Sequence, residues 1–426
     1  MRIPLRFCMV TTFFGPLSFG GDAVYVDHLS RGLARRGHEV EVVHCAESFR
    51  MLAGDTPPRP WAPPHPGVKV HTLESPVKWL APLWTQQTGT PGPNAGVLRR
   101  IFDGGDFDVI HFHNISLLGG PGALRRGGER ASAVKLMTLH DYWLVCPMHL
   151  MWKLGRRVCE RPQCLRCTIH GKRPPQLWRR TGLLERGLEE LDTLLAPSRH
   201  SVELHRERGV RAPMVQLPYH LPADWASSEG LPPVAAQPAR ARPYFAAAGR
   251  LVEEKGFDRL IEAMASLPEF DLRLAGAGPN EERLRRRADE LPNVELLGLL
   301  SPPELGDLYR GARAVVVPSL FPETFGYVAV EAMSVGTPAI VSSIGALPEL
   351  IEASGGGIVF ESEREMLEAM RRLSGDDGLR SELGSRGRQA AATVWSEDTH
   401  LDAYLELVDR ASATAGATPR AAASSS

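Results

Sequence analysis

The chain has 426 residues, 43% of them hydrophobic and 23% charged, with a formal net charge of -1. That length suggests two or three domains, and the composition is that of a globular protein in water. The near-neutral balance excludes the electrostatic footprint of a nucleic-acid binder, and no run is long and apolar enough to read as a membrane span.

The opening stretch MRIPLRFCMVTTFF runs straight into FFGPLSFGG without a small-residue cleavage site. It reads as a first strand over 5–12, and the cytoplasm, where thiols stay reduced, is the expected compartment. A helix is expected over 22–36, with Val26, Leu29 and Leu33 on one face, and a strand over 39–44. This is a βαβ unit whose Gly20-Gly21 pair allows close backbone approach to a ligand, although GxGxxG is absent. Residues 48–93 are Pro-rich and read as a surface excursion with one strand at 68–73. Strands over 108–112 and 134–139 lead into HFHN and His140-Asp141-Tyr142-Trp143. His111, His113 and His140 therefore converge at strand ends, where an imidazole can hold or take a proton near neutral pH. Asp106-Phe107-Asp108 precedes its strand, the wrong end for a metal-binding DxD, and is set aside.

Cys146, Cys159, Cys164 and Cys167 follow the spacing C-x12-C-x4-C-x2-C. Four thiols ending in CxxC predict a structural zinc; an iron–sulfur cluster, reduced thiols or a redox pair are the alternatives. The first domain is expected over 1–222, with the Cys-rich insertion at 146–170 and closing strands at 193–196 and 214–217. A Pro/Ala/Ser linker is expected at 223–243 and a second domain at 244–395, both domains being α/β. A last amphipathic helix falls at 396–410, and an Ala/Ser/Thr-rich tail at 411–426 reads as disordered. Two such α/β halves place a ligand cleft at the C-terminal ends of two sheets.

In the second half, GRLVEEKG follows the strand at 244–248. Its Gly249, Arg250 and Lys255 suit a diphosphate, and Lys255 is the only lysine after position 172. AGAGP places Gly276 and Gly278 at the next strand end, and Leu299 follows the one after. The stretch 318–342 then reads strand, loop, helix, strand. Glu323 and Glu331 lie eight residues apart, about 12 Å along a helix, too far to share a proton but suited to two parts of one ligand. Between them the amides of Thr324, Phe325, Gly326 and Tyr327 open a helix, a favourable place for phosphate. An amphipathic helix with one solvated and one capping glutamate is the plain alternative.

Taken in order, FFGPLSFGGDAVYVDHLSRGLARRGHEVEVV, DVIHFHN, GRLVEEKG, AGAGP and PETFGYVAVEAMSVGTPAIVS resemble the GT-B glycosyltransferases of family 4 over about residues 5–410. The resemblance implies two Rossmann-like, doubly wound domains facing each other across a cleft, and a retaining enzyme of the glycogen-synthase-like superfamily. It implies a UDP-, GDP-, ADP- or TDP-sugar donor held by the C-terminal half and a hydroxyl acceptor held by the N-terminal half. Arg250 and Lys255 would hold the diphosphate, Glu331 the ribose, and Glu323 with the Phe325 and Gly326 amides the sugar and phosphate side. Gly20 and Gly21 would lie near phosphates and acceptor, and His140 at the reacting centre, with His111, His113 and Asp141 on the acceptor side. It further implies that no metal or cofactor is required for catalysis, and that the last helix crosses back to the first half.

The rival readings are a nucleotide-sugar epimerase of the same fold and a non-catalytic sugar-nucleotide or metal-binding module. The stretch 171–180, rich in Arg and bearing a Trp, raises weak membrane-surface association at the inner face; a solvated charged loop is the alternative.

Overall fold

The computed structural model describes residues 3–54, 58, 61–128, 133–222, 224–225 and 242–417. The chain divides into two compact units: Met1–His149, Cys164–Pro218 and His400–Ser426 form one, and Leu150–Gln163 with Tyr219–Thr399 form the other.

In chain order the strands are β1 (Arg6–Val10), β2 (Glu39–Cys45), β3 (Val68–Leu73), β4 (Val109–Phe112), β5 (Val134–Thr138), β6 (Trp152–Lys153), β7 (Arg157–Val158), β8 (Thr193–Ala196) and β9 (Met214–Gln216). The first unit carries a seven-stranded sheet in the order β3-β2-β1-β4-β5-β8-β9, with every pairing parallel. β6 and β7 form a separate antiparallel hairpin that groups with the second unit. The strands β1, β4 and β5 are buried along almost their whole length, because helices cover both faces of a parallel sheet. Phe102, Phe112, Ile110, Leu124 and Met137 belong to one core cluster of this unit.

The second unit holds β10 (Tyr244–Ala248), β11 (Asp271–Ala275), β12 (Val294–Gly298), β13 (Val315–Val317), β14 (Ala339–Ser342) and β15 (Gly357–Phe360). They form a six-stranded parallel sheet in the order β12-β11-β10-β13-β14-β15. Both sheets reverse direction beside their first strand. The reversal falls between β1 and β4 in one sheet and between β10 and β13 in the other, which is where ligands of doubly wound sheets bind.

Three expectations are corrected here. Residues 48–93 are not a bare excursion: helices Ala46–Ala53 and Leu80–Thr88 form within it, and Ala95–Gly104 follows. Pro82 does not prevent the second, because a proline in the first turn removes an amide that has no helical partner. The last helix runs over Glu397–Ala417, so 411–417 continue it, as alanines in that stretch favour. The hairpin portion of the Cys-rich insertion belongs with the second unit. The expected linker lies almost wholly outside the described residues, as does the tail from 418.

Candidate active site

In the second unit the loops after β10 and β13 meet. Gly249 begins the first, and Glu253–Lys255 forms a short 3-10 turn within it. Lys255 Nζ lies 2.6 Å from Glu323 Oε1, and Ser319 Oγ donates to the same oxygen at 2.5 Å. The backbone ties the loops as well, with Leu320 N donating to Glu254 O at 2.8 Å. Glu323 is buried, while Arg250 is exposed at the loop's start. Lys255 and Glu323 are 68 positions apart in sequence, and the adjacency of β10 and β13 closes that gap.

Glu323 is positioned from behind by a residue that sequence reasoning missed. Its main chain makes an isolated parallel bridge to Gly345, and Ala346 N donates to Glu323 O at 2.9 Å. Gly345 has φ +70°, and a Cβ there would stand 2.4 Å from Glu323 N, so only glycine fits. Ser319 was missed too, and its signal was a hydroxyl two residues beyond the end of the strand at Val317.

Gly326, at φ 110°, opens the helix Tyr327–Ser334. Phe325 packs its ring against Tyr219, with centroids 5.0 Å apart, and Tyr219 stacks on Tyr327. Thr324, Gly326 and Tyr327 are half-buried. Glu331, one helical turn and more further on, is half-buried and accepts from Tyr309 OH at 3.2 Å. Burial pushes its carboxyl up to about 7, opposed by the Tyr309 hydrogen bond. The AGAGP turn is a packing device: a Cβ on Gly276 would stand 1.9 Å from Gly249 O, and one on Gly278 2.6 Å from Leu251 O. Gly276 and Gly278 thus seat the Arg250 loop, and Leu299 is exposed at the end of β12.

The first unit has its own strand-end cluster. Gly20 precedes the helix Gly21–Arg35, and a Cβ built on it would meet Asp22 Oδ1 at 4.0 Å. Asn114 Nδ2 donates to Asp22 Oδ2 at 3.3 Å, and burial raises the Asp22 carboxyl. Behind them lies a chain of hydrogen bonds whose direction can be worked out. The Pro218 carbonyl can only accept, so His400 Nδ1 carries a proton toward it, 2.8 Å away. His400 Nε2 then accepts from Tyr25 OH at 3.0 Å, and the Tyr25 oxygen receives the Thr138 hydroxyl. Thr138 Oγ1 accepts from His111 Nε2 at 2.8 Å, which leaves His111 Nδ1 to accept from Tyr404 OH at 3.0 Å.

His111 and His113, expected on the acceptor side, are enclosed and stand behind His140. Both ring nitrogens of His111 are spent inside the unit, and His113 Nδ1 meets His140 Nε2 at 3.0 Å. Only His140 and Asp141 are half-buried. Burial holds the imidazoles below their ordinary range, to about 3 for His140 and about 4 for His400. Neutral His140 is therefore a hydrogen-bonding group near neutral pH and a poor proton store. Burial pushes the Asp141 carboxyl up, but His149 and the Trp143 amide, each 2.7 Å away, outweigh it and hold the group below the usual range.

At the expected zinc site, Cys146, Cys159 and Cys167 are buried and Cys164 is exposed. Among the described residues no group of three or more His, Cys, Asp or Glu side chains is arranged to hold a metal. Cys164 begins the helix Cys164–His170, and Cys167 lies one turn further on. Arg179 holds the first unit's part of this loop. It lies over the Trp143 and Trp178 rings, at 5.4 and 4.8 Å, and donates to the Trp143 and Leu144 carbonyls at 2.7 and 3.1 Å.

Comparison with known proteins bears on family and fold. Residues 19–218 match the family described as Glycosyltransferase Family 4, and residues 235–390 match Glycosyl transferases group 1. The D-inositol 3-phosphate glycosyltransferase of Xylanimonas cellulosilytica is 30% identical over 423 residues, spanning 92% of this chain and 93% of that protein. Sucrose-phosphate synthase from Thermosynechococcus elongatus superposes with a TM-score of 0.72 at 20% identity, covering 96% of this chain and all of that one. Anabaena HepE in complex with UDP-glucose gives 0.65 at 17% identity, covering 95% and 100%. No described helix is long and apolar enough to cross a membrane. With two matched domains, a relative similar along nearly its whole length and two doubly wound parallel sheets, the chain belongs to the GT-B glycosyltransferases of family 4, which transfer a sugar from a nucleotide-sugar donor.

Proposed function

We propose that the chain transfers a hexose from a UDP-sugar to a hydroxyl acceptor with retention at the anomeric carbon. The observation that carries this reading is the Lys255–Glu323–Ser319 cluster at the adjoining ends of β10 and β13, beside exposed Arg250. Arg250 and Lys255 take the diphosphate as a charge clamp, and the helix opening at Gly326 adds its amides and dipole. Glu331 accepts the ribose hydroxyls, and Glu323 orients Lys255 and a sugar hydroxyl. UDP is favoured because HepE, similar in fold, is described in complex with UDP-glucose.

In the reaction the bond from the anomeric carbon to the phosphate oxygen breaks and the acceptor oxygen bonds to the same carbon. The acceptor proton passes to the departing phosphate oxygen. Charge on the leaving diphosphate grows in this step, and preorganised cations stabilise it more than they stabilise the ground state. Gly20, Gly21 and the neutral imidazole of His140 keep, within this proposal, the acceptor-side and sugar-contact roles that the family resemblance implies. No step requires a metal.

The test is a thermal-shift panel of UDP-, GDP-, ADP- and TDP-sugars on the purified chain. A rise in midpoint with one UDP-sugar, absent in Arg250→Ala, is the expected result; no rise with any of the four overturns the donor site. Proton NMR of the product then reads the anomeric configuration, and inversion overturns the retaining mechanism.

A further inference from the structure

Thirteen large apolar side chains are exposed among the described residues, and six of them fall in two short segments of the first unit. Trp79, Leu80 and Trp84 lie on or beside the helix Leu80–Thr88, at 56%, 46% and 52% exposure; Leu165, Ile169 and Leu177 lie in 165–177, at 51%, 63% and 67%. Isolated exposed apolar residues are ordinary, but a concentration of this kind marks a contact surface.

The two segments adjoin. Trp178 Nε1 donates to Gln86 O at 3.0 Å, and Gln86 Nε2 donates to Pro174 O at 3.1 Å. The helix Leu80–Thr88 buries Ala81, Pro82 and Thr85 and turns Leu80 and Trp84 outward. Trp84 satisfies its indole N–H on Thr90 Oγ1 at 3.2 Å, so its ring can leave water without stranding a donor. Leu165 and Ile169 stand one above the other on the helix Cys164–His170.

Within the two stretches that carry these side chains the charges have one sign. No Asp or Glu occurs in 75–102 or in 164–184, whereas Lys78, Arg166, Lys172, Arg173 and Arg180 are exposed there. An apolar surface carrying tryptophans and lysine or arginine, with no carboxylate among them, is complementary to an anionic bilayer: indole rings settle at the headgroup level and cations meet lipid phosphates. We propose that this surface docks the enzyme peripherally on an anionic membrane. The inference is independent of the donor-site roles above.

The experiment is co-sedimentation of the full chain with vesicles of phosphatidylglycerol and phosphatidylcholine, against vesicles of phosphatidylcholine alone. Binding should be stronger to the anionic vesicles and fall with added salt. Trp79→Ser/Trp84→Ser should abolish it at an unchanged thermal midpoint, and Lys172→Gln and Arg173→Gln should each weaken it about fivefold. Absence of binding to anionic vesicles, or equal binding by the folded Trp double variant, overturns the proposal. So does concentration-dependent self-association that the same variant abolishes, which would assign the surface to a second copy of the chain.

Discussion

Lys255 Nζ and Glu323 Oε1 stand 2.6 Å apart at the ends of two neighbouring strands, with Ser319 sharing the same carboxylate oxygen. The pair joins a buried carboxylate to the cation that we assign to the donor phosphates. Deleting one member strands the other, whereas deleting both does not. A double-mutant cycle with Lys255→Ala and Glu323→Ala in urea unfolding should show a coupling of about 1–3 kcal/mol, and additivity within about 0.5 kcal/mol would refute the pairing. Lys255→Ala should also lower kcat/KM by about a hundredfold, as expected for losing a group that stabilises developing charge.

Glu331 titrates near 7 because burial disfavours its charge. The native state therefore takes up a proton below about 7 that the unfolded chain takes up only below 4.5, so this group's contribution to stability is lost as pH rises through 7. Glu331→Gln should raise the thermal midpoint relative to the parent more at pH 8 than at pH 5. If ribose hydroxyls donate to the ionised carboxylate, the donor KM should fall between pH 6 and 8 in the parent and be flat in Glu331→Gln. A flat parent profile would remove Glu331 from donor binding.

His113 Nε2 is buried with no hydrogen-bond partner. A bare lone pair there costs less than an orphaned N–H, so His113 carries its proton on Nδ1 and donates to His140 Nε2. His140 then presents Nδ1–H as a donor. Long-range proton–nitrogen NMR correlations should show an unprotonated Nε2 on His140, and a protonated one would disprove the assignment. His113→Asn, whose amide can donate from a similar place, should retain more activity than His113→Leu.

The same burial makes the first unit acid-sensitive. His140 and His400 are neutral when folded down to about 3 and 4, while the unfolded chain protonates them near 6.5. Stability from these groups is thus present above 6.5 and lost as pH falls toward 4. The thermal midpoint should drop across that window, and His400→Gln should flatten the drop; an unchanged slope would count against the assignment.

Gly345 supports Glu323 from a φ that side chains rarely adopt, in contact with its backbone. Gly345→Ala should cost about 1–3 kcal/mol of stability and raise the donor KM by displacing Glu323. An alanine variant with parental stability and KM would show that this contact does not position the carboxylate.

Much of this site was readable along the chain because its parts are local. Gly249, Arg250 and Lys255 follow one strand, and Glu323 to Glu331 follow another, so apolar runs broken by Gly and Pro located both loops. His140 was readable for the same reason. Which histidines are enclosed was not, since His111, His113 and His140 have similar local settings and differ only in what packs against them. The last helix supplies Tyr404 and His400, some 290 residues beyond His111 in the case of Tyr404, with the hydrogen-bond separation being 293. The cysteine spacing did not disclose burial, because spacing carries no direction: Cys164 and Cys167 are a helical turn apart, yet one is exposed and one buried.

The sequence by itself determined the alternation of strands and helices, the glycine turns at the strand ends and the family to which their order belongs, because these depend on side-chain period and backbone freedom over a few residues. Tertiary structure alone decided that Lys255 meets Glu323, that Gly345 holds that carboxylate in place, and that His111 and His113 are shut away behind His140. Those facts follow from strand order, which sets β10 beside β13 and β1 beside β4, and from burial, which selects the neutral form of each enclosed imidazole.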